Sequence, residues 1–391
     1  MKIKNLLLKS IAIVELTVFI FVVNMASVAA GNFLSEMQLP EYIQNYIPVS
    51  VDDYAESQYM EYVMCAYRYA DEYNLPMDLN LNNIELGPSY VIFYPQYESQ
   101  SAIIYYPIIY NNVTILTLAV SIEDDQWSIV AGNDNVEFLN SINFPQEYYI
   151  FYVTDNVLVA QNYDKYIACN KEEYEDVLSE YSLEQKILMI CGLIDGFDIS
   201  EEQFEISDSY KNNTQNLVQP CSGYDVNETN NIELKLFSPQ PQMNYGMCWA
   251  AAVATTVNYI KTTSVSAFEV CNKTSIGYNE GAKSMYDLQY ALSLYNIYYT
   301  HVYNKQVASW DEIKRNIKKK YPIIISGQYG STELAHAVTI YGYDNIDGDK
   351  KILYWDSAGN NGAGARSIFK YNTYRFSSSG ISYSWHGTLY K

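Results

Sequence analysis

Apolar side chains recur at spacings of three and four over residues 53–75, at Tyr54, Met60, Val63, Met64, Tyr67 and Ala70. That recurrence predicts a helix, closed by Asn74-Leu75-Pro76. From about residue 88 to 168 the pattern changes. Ser89–Tyr94, Ala102–Tyr110, Val113–Ile122, Trp127–Ala131 and Tyr148–Val153 are β-rich runs separated by Asn, Asp, Gly and Pro clusters. They predict an antiparallel sheet of hairpins. Residues 172–193 return to a helical pattern, and the polar stretch 207–231 reads as a linker. Beyond it, Glu233–Phe237 alternates as a short strand, and Cys248–Ile260 reads as a strongly apolar helix. A second helix is expected over 283–295. A third starts at the capping-box sequence Ser309-Trp310-Asp311-Glu312 and ends at Lys320, since Tyr321-Pro322 disfavours helix there. Strands follow at Ile323–Ser326, Ala337–Tyr343, Ile352–Asp356, 365–371 and 381–389. Helices first and a sheet afterwards, with no βαβ rhythm, is an α+β order.

The first 30 residues stand apart. Lys2, Lys4 and Lys9 precede a stretch from Ile11 to Val23 that is apolar except for Glu15, and Ser27-Val28-Ala29-Ala30 supplies small residues for cleavage before Gly31. This is the pattern of a secretory signal peptide, and it predicts a secreted, extracellular protein. A retained anchor is the alternative. No later run approaches the ~20 apolar residues of a spanning helix, so no membrane contact beyond the export signal is expected. The resulting division is 1–30 signal peptide, 31–206 first domain, 207–231 linker and 232–391 second domain.

Charge adds to this division. The net charge of −21 argues against nucleic acid as a partner. Residues 31–230 hold 33 acidic and five basic side chains, whereas residues 231–391 hold 11 acidic and 16 basic. Two readings follow: a solvated acidic surface, or complementarity that docks one part of the chain on the other. The 41 tyrosines suit half-buried strands. The six cysteines (Cys65, Cys169, Cys191, Cys221, Cys248, Cys271) show no C-x-x-C spacing, so a zinc site is not expected.

Candidate chemistry concentrates in the second domain. In Gln242-Met-Asn-Tyr-Gly-Met-Cys248-Trp249, a glycine-bearing loop delivers a cysteine to the start of an apolar helix. The helix dipole and its unpaired amides stabilise a thiolate there. The same amides donate to an oxyanion, with the Gln242 side chain as a second donor. The competing reading is a small buried cysteine packed beside Trp249. Only three histidines are available to serve as base. His301 and His386 have no acid or amide placed to orient them. His336 opens the strand Ala337–Tyr343, and Asp356 closes the next strand. Antiparallel pairing of the two strands would set the carboxylate beside the imidazole. A satisfied strand-start histidine and a turn aspartate are the plainer readings of these two residues.

Taken in order, Q-x5-C-W, H-A-V and Y-W-D-S resemble the papain-like cysteine peptidases over about residues 231–391. The likeness is to their compact bacterial branch, the staphopain-like enzymes and the bacteriocin-leader peptidases. The resemblance implies a papain-like catalytic domain with N-terminal helices packed on an antiparallel sheet. It implies Cys248 as nucleophile, His336 as base, Asp356 as orienting residue and Gln242 as oxyanion-hole donor. Many members carry asparagine where this chain has Asp356. The implied activity is peptide-bond hydrolysis through a thioester, with a protein or peptide as substrate and no cofactor. An acyl transferase or amidase on the same residues is the alternative within enzymes. A non-catalytic binding or adhesion protein is the alternative outside them. The first domain is then expected to be either a pro-region that inhibits its own enzyme, making the chain a zymogen, or an accessory domain for substrate or surface binding.

Overall fold

The computed structural model describes residues 46–94, 103–123, 126–144, 149–154, 157–162, 165–169, 181–195, 230–243, 245–302, 307–330, 335–346 and 348–391. The expected signal peptide lies outside these residues, as does the expected linker apart from its last two.

In chain order the first part contains helices α1 (Val49–Tyr67) and α2 (Ala70–Tyr73), and strands β1 (Ile84–Leu86), β2 (Tyr90–Phe93), β3 (Ile103–Tyr110), β4 (Val113–Glu123) and β5 (Gln126–Gly132). Then come α3 (Val136–Ser141), β6 (Ile150–Thr154), β7 (Val157–Asn162), β8 (Lys165–Ala168) and α4 (Leu183–Asp195). The second part opens with β9 (Asn231–Glu233). It continues with helices α5 (Cys248–Lys261), α6 (Ala267–Thr274) and α7 (Met285–Ser293), strand β10 (Thr300–His301) and helix α8 (Trp310–Lys318). Strands β11 (Ile323–Gln328), β12 (Ala335–Asp344), β13 (Lys351–Asp356), β14 (Ala365–Lys370), β15 (Arg375–Ser378) and β16 (Ile381–Tyr390) complete it. The expected α+β order of the second domain is observed. Helix α6 was not expected, although Ser266 and Glu269 form a capping box at its start.

The strands of both parts join in one sheet, ordered β10-β16-β11-β12-β13-β14-β5-β4-β3-β2-β6-β7-β8. The hairpin expectation holds for most neighbours. The exception is β2 with β6, which pair parallel. The chain between them runs through β3, β4, β5 and α3, and a parallel partner requires such a long crossover.

The joint between the parts is the pairing of β14 with β5, through Ser367–Gly132, Ile368–Ala131 and Phe369–Val130. Gly132 is required at this joint. A Cβ there would come within 2.3 Å of the Arg366 carbonyl oxygen. Helices α1 and α2 and the residues joining them straddle the seam, which explains their buried charged residues. Arg68 makes a two-pronged bond to Asp344, Nε to Oδ2 at 2.7 Å and Nη2 to Oδ1 at 2.9 Å, with both side chains buried. Glu61 faces Lys351 at 2.5 Å and Lys370 at 3.0 Å. Glu72 pairs with Arg366. Tyr62 donates to the Ile129 carbonyl at 3.2 Å. A single apolar core runs across the joint, with Tyr62, Leu118 and Ile129 from one side and Tyr341, Leu353 and Phe369 from the other.

Candidate active site

Helix α5 begins at Cys248, so the thiol sits in the first turn, where amides lack intrahelical acceptors. The ten residues from Trp249 to Asn258 are all buried. Four alanines among them let the neighbouring elements approach closely, and the helix is fixed along its length. Its far end is anchored by Asn258, which donates to the Ser238 and Val265 carbonyls and accepts from the Val265 amide. Trp249 Nε1 donates to the Glu280 carbonyl at 3.2 Å.

His336 lies second in β12, and Asp356 ends β13. Thr339 pairs with Trp355 and Ile340 with Tyr354, so Asp356 falls diagonal to His336 on the same face of the sheet. The carboxylate reaches back, and His336 Nε2 lies 2.7 Å from Asp356 Oδ1. The Ala358 amide also donates to that oxygen, at 3.0 Å. With Nε2 engaged, Nδ1 is the ring nitrogen left for the thiol, and His336 and Cys248 each shift the other's titration. Rings of Tyr383 and Phe376 pack beside the imidazole, with centroids 5.4 Å and 6.3 Å away.

The electrostatics of the pair follow from this geometry. Burial opposes a charged imidazole. The Asp356 carboxylate and the Cys248 sulfur outweigh it and push His336 up to about 10. Burial likewise opposes a thiolate at Cys248. His336 and the amides of Ala337 and Trp249 overcome it, and the thiol falls below its ordinary 9.0. Burial pushes Cys65 up, and it takes Cys169 and Cys271 up to about 11. Cys248 is thus the one of these four thiols shifted towards the thiolate, the direction that nucleophilic chemistry requires.

Gln242 sits across the cavity. Its backbone amide donates to the Ser357 carbonyl at 3.0 Å, and the Ser357 hydroxyl donates to its Oε1 at 3.2 Å. Holding Oε1 in this way leaves the amide NH2 as the end that can donate to an oxyanion. Met243 donates to the Gly362 carbonyl at 2.8 Å. Gly362 has φ +86°, and a Cβ there would come within 2.2 Å of the Met243 carbonyl oxygen. Trp355 Nε1 donates to the Gln240 carbonyl at 3.0 Å. These bonds tie the Gln242 segment to the loop after Asp356.

All four residues singled out in the sequence meet in this region. Cys248, His336 and Gln242 line one cavity of about 480 Å³, and Asp356 lies behind His336. Sequence reasoning missed Ser357, although it adjoins Asp356. It also missed the corner Asp134–Asn135 of the first part. Asp134 accepts from the Asn360 amide at 2.5 Å, and the Asn135 amide donates to Asn360 Oδ1 at 2.7 Å. Nothing local in the sequence marks that contact. Among the described residues no group of three His, Cys, Asp or Glu side chains is placed to hold a metal ion.

Residues 234–383 match the Peptidase_C39 like family. The match spans the segment that holds Gln242, Cys248, His336 and Asp356. The staphopain-like branch draws no support from it. Among curated proteins none matches the chain. Taken with the mixed α+β fold, the family match supports a cysteine peptidase of the papain-like, C39 kind.

Proposed function

We propose that the chain is an exported cysteine peptidase that cleaves peptide bonds through Cys248, His336 and Asp356. The observation that carries this reading is the placing of Cys248 and His336 on one cavity with Asp356 Oδ1 2.7 Å from His336 Nε2, where the thiol is pulled down and the imidazole pushed up. Both shifts favour the ion pair of a thiolate with an imidazolium. The Cys248 sulfur attacks the peptide carbonyl carbon, and the charge moving onto its oxygen is met by the Cys248 amide and the Gln242 side chain. His336 gives its proton to the leaving amine, and a thioester remains. His336 then takes a proton from water, whose oxygen attacks the thioester and releases the acid and the thiolate. Asp356 holds the ring and stabilises its charged form throughout. Export rests on the n-region lysines, the apolar stretch and the small residues before Gly31.

A peptide-library digest followed by mass spectrometry tests the reaction type. Hydrolysis predicts free carboxyl and amino ends at each cut, and their loss in Cys248→Ser. Products joined to an added amine, with no hydrolysed ends, would assign an acyl transferase instead.

A further inference from the structure

The cavity that holds Cys248 and His336 has a second wall, and the first part of the chain supplies it. Ile92 and Tyr94, at and just beyond β2, Val153 of β6 and Leu158 of β7 line it, beside Asp134 and Asn135. The first four present an apolar patch opposite a catalytic face rich in polar groups.

We infer that residues 46–195 are a permanent half of the substrate cleft, whose Ile92–Val153–Leu158 patch selects an apolar side chain of the peptide. This deepens the peptidase reading and rests on it. The sequence left two roles open for the first part, a removable pro-region or a lasting accessory domain. The seam favours the second. Detaching the first part would open the β14 edge, where Ser367, Ile368 and Phe369 now pair with β5. An exposed edge of that kind templates aggregation. Detachment would also break the buried ion pairs of Asp344 with Arg68 and of Lys351 with Glu61. It would release the Asn360 amide from Asp134, and Asn360 belongs to the loop that carries Ser357 and backs Gln242. A module that is shed on activation would not be woven into the sheet and into the support of the oxyanion donor. The acidic first part and the basic second part attract each other in the same sense.

Two measurements on the full chain test this. A recognition sequence for a site-specific protease, placed within 207–229, allows the chain to be cut between its parts. The fragments are expected to co-elute on size exclusion in native buffer, and the uncut chain is expected to be already active. Separation of the fragments, or activity that appears only after the first part is lost, would overturn the inference. In the second arm, Leu158→Ala is expected to lower kcat/KM for peptides bearing an apolar side chain by about 10–100-fold relative to their glycine counterparts. The rate of Cys248 alkylation by iodoacetamide should stay constant as the sign of an intact site. An equal loss on all peptides would refute the selecting role of the patch. An inert chain would overturn the selectivity claim and the peptidase reading together. The elution arm needs no catalysis and answers separately for the seam.

Discussion

Arg68→Met is the sharpest perturbation of the seam. Methionine fills much of the arginine stem's volume but leaves the Asp344 carboxylate buried without its guanidinium. Among the described residues, Asp344 would keep only the Ile346 amide at 3.1 Å and the Tyr69 hydroxyl at 3.4 Å. Removing one partner of a buried pair costs about 3–5 kcal/mol, because an uncompensated charge remains. With a urea m-value of about 3 kcal/mol per molar, that is a fall of about 1–1.7 M in the unfolding midpoint. Pairing the change with Asp344→Asn removes the stranded charge and keeps an acceptor for the Ile346 amide. The double variant should therefore recover most of the loss. Urea titrations should be followed by intrinsic fluorescence and by residual Cys248 reactivity. Because the seam ties both parts together, the two signals should fall at one midpoint. A single-variant cost within about 0.5 kcal/mol would refute the reasoning, as would a double variant no more stable than the single.

The pH profile of Cys248 alkylation should rise through a thiol pKa below 9.0 and lose its imidazolium assistance near 10, where His336 gives up its proton. Asp356→Asn removes the charge that opposes burial, so the alkaline limb should move to lower pH. In stability terms His336 is raised above its ordinary 6.5. Its contribution is full below that pH and is lost as pH climbs towards 10. Gln242→Ala should lower kcat by about 10²–10³-fold with little change in KM, since the donor meets charge that develops only in the transition state. Burial pushes Asp134 up to about 6, with the Asn360 amide opposing and the Asp356 charge adding. The native state thus holds this proton more tightly than the unfolded chain, and the stabilisation is lost as pH rises from 3.8 through about 6. Asp134→Asn should gain stability relative to the parent over that interval, measured by urea midpoints at pH 4 and pH 7.

What the sequence made legible was local or ordered. Cys248 at a helix start follows from an apolar run broken by a glycine loop. His336 and Asp356 follow from two successive strands with a turn between them. Their diagonal placement needed only antiparallel register, which consecutive strands commonly adopt. The seam was illegible for the opposite reason. Gly132 meets Ser367, and Asp134 meets Asn360, across more than 220 residues of chain, and neither has a periodic or motif signal. Glu61 and Arg68 fall inside the helical pattern over 53–75, and that pattern names no partner for either. Their roles depend on Lys351 and Asp344, which only the folded sheet brings near. The parallel pairing of β2 and β6 was lost in the same way, since an alternating run carries no information about strand direction.

Covalent titration with an epoxysuccinyl inhibitor such as E-64 reads out Cys248 as the nucleophile. One equivalent should attach, at Cys248 by peptide mapping, with a parallel loss of peptide hydrolysis and with no label on Cys248→Ser. Labelling that persists at another residue in Cys248→Ser, with hydrolysis intact, would contradict the account.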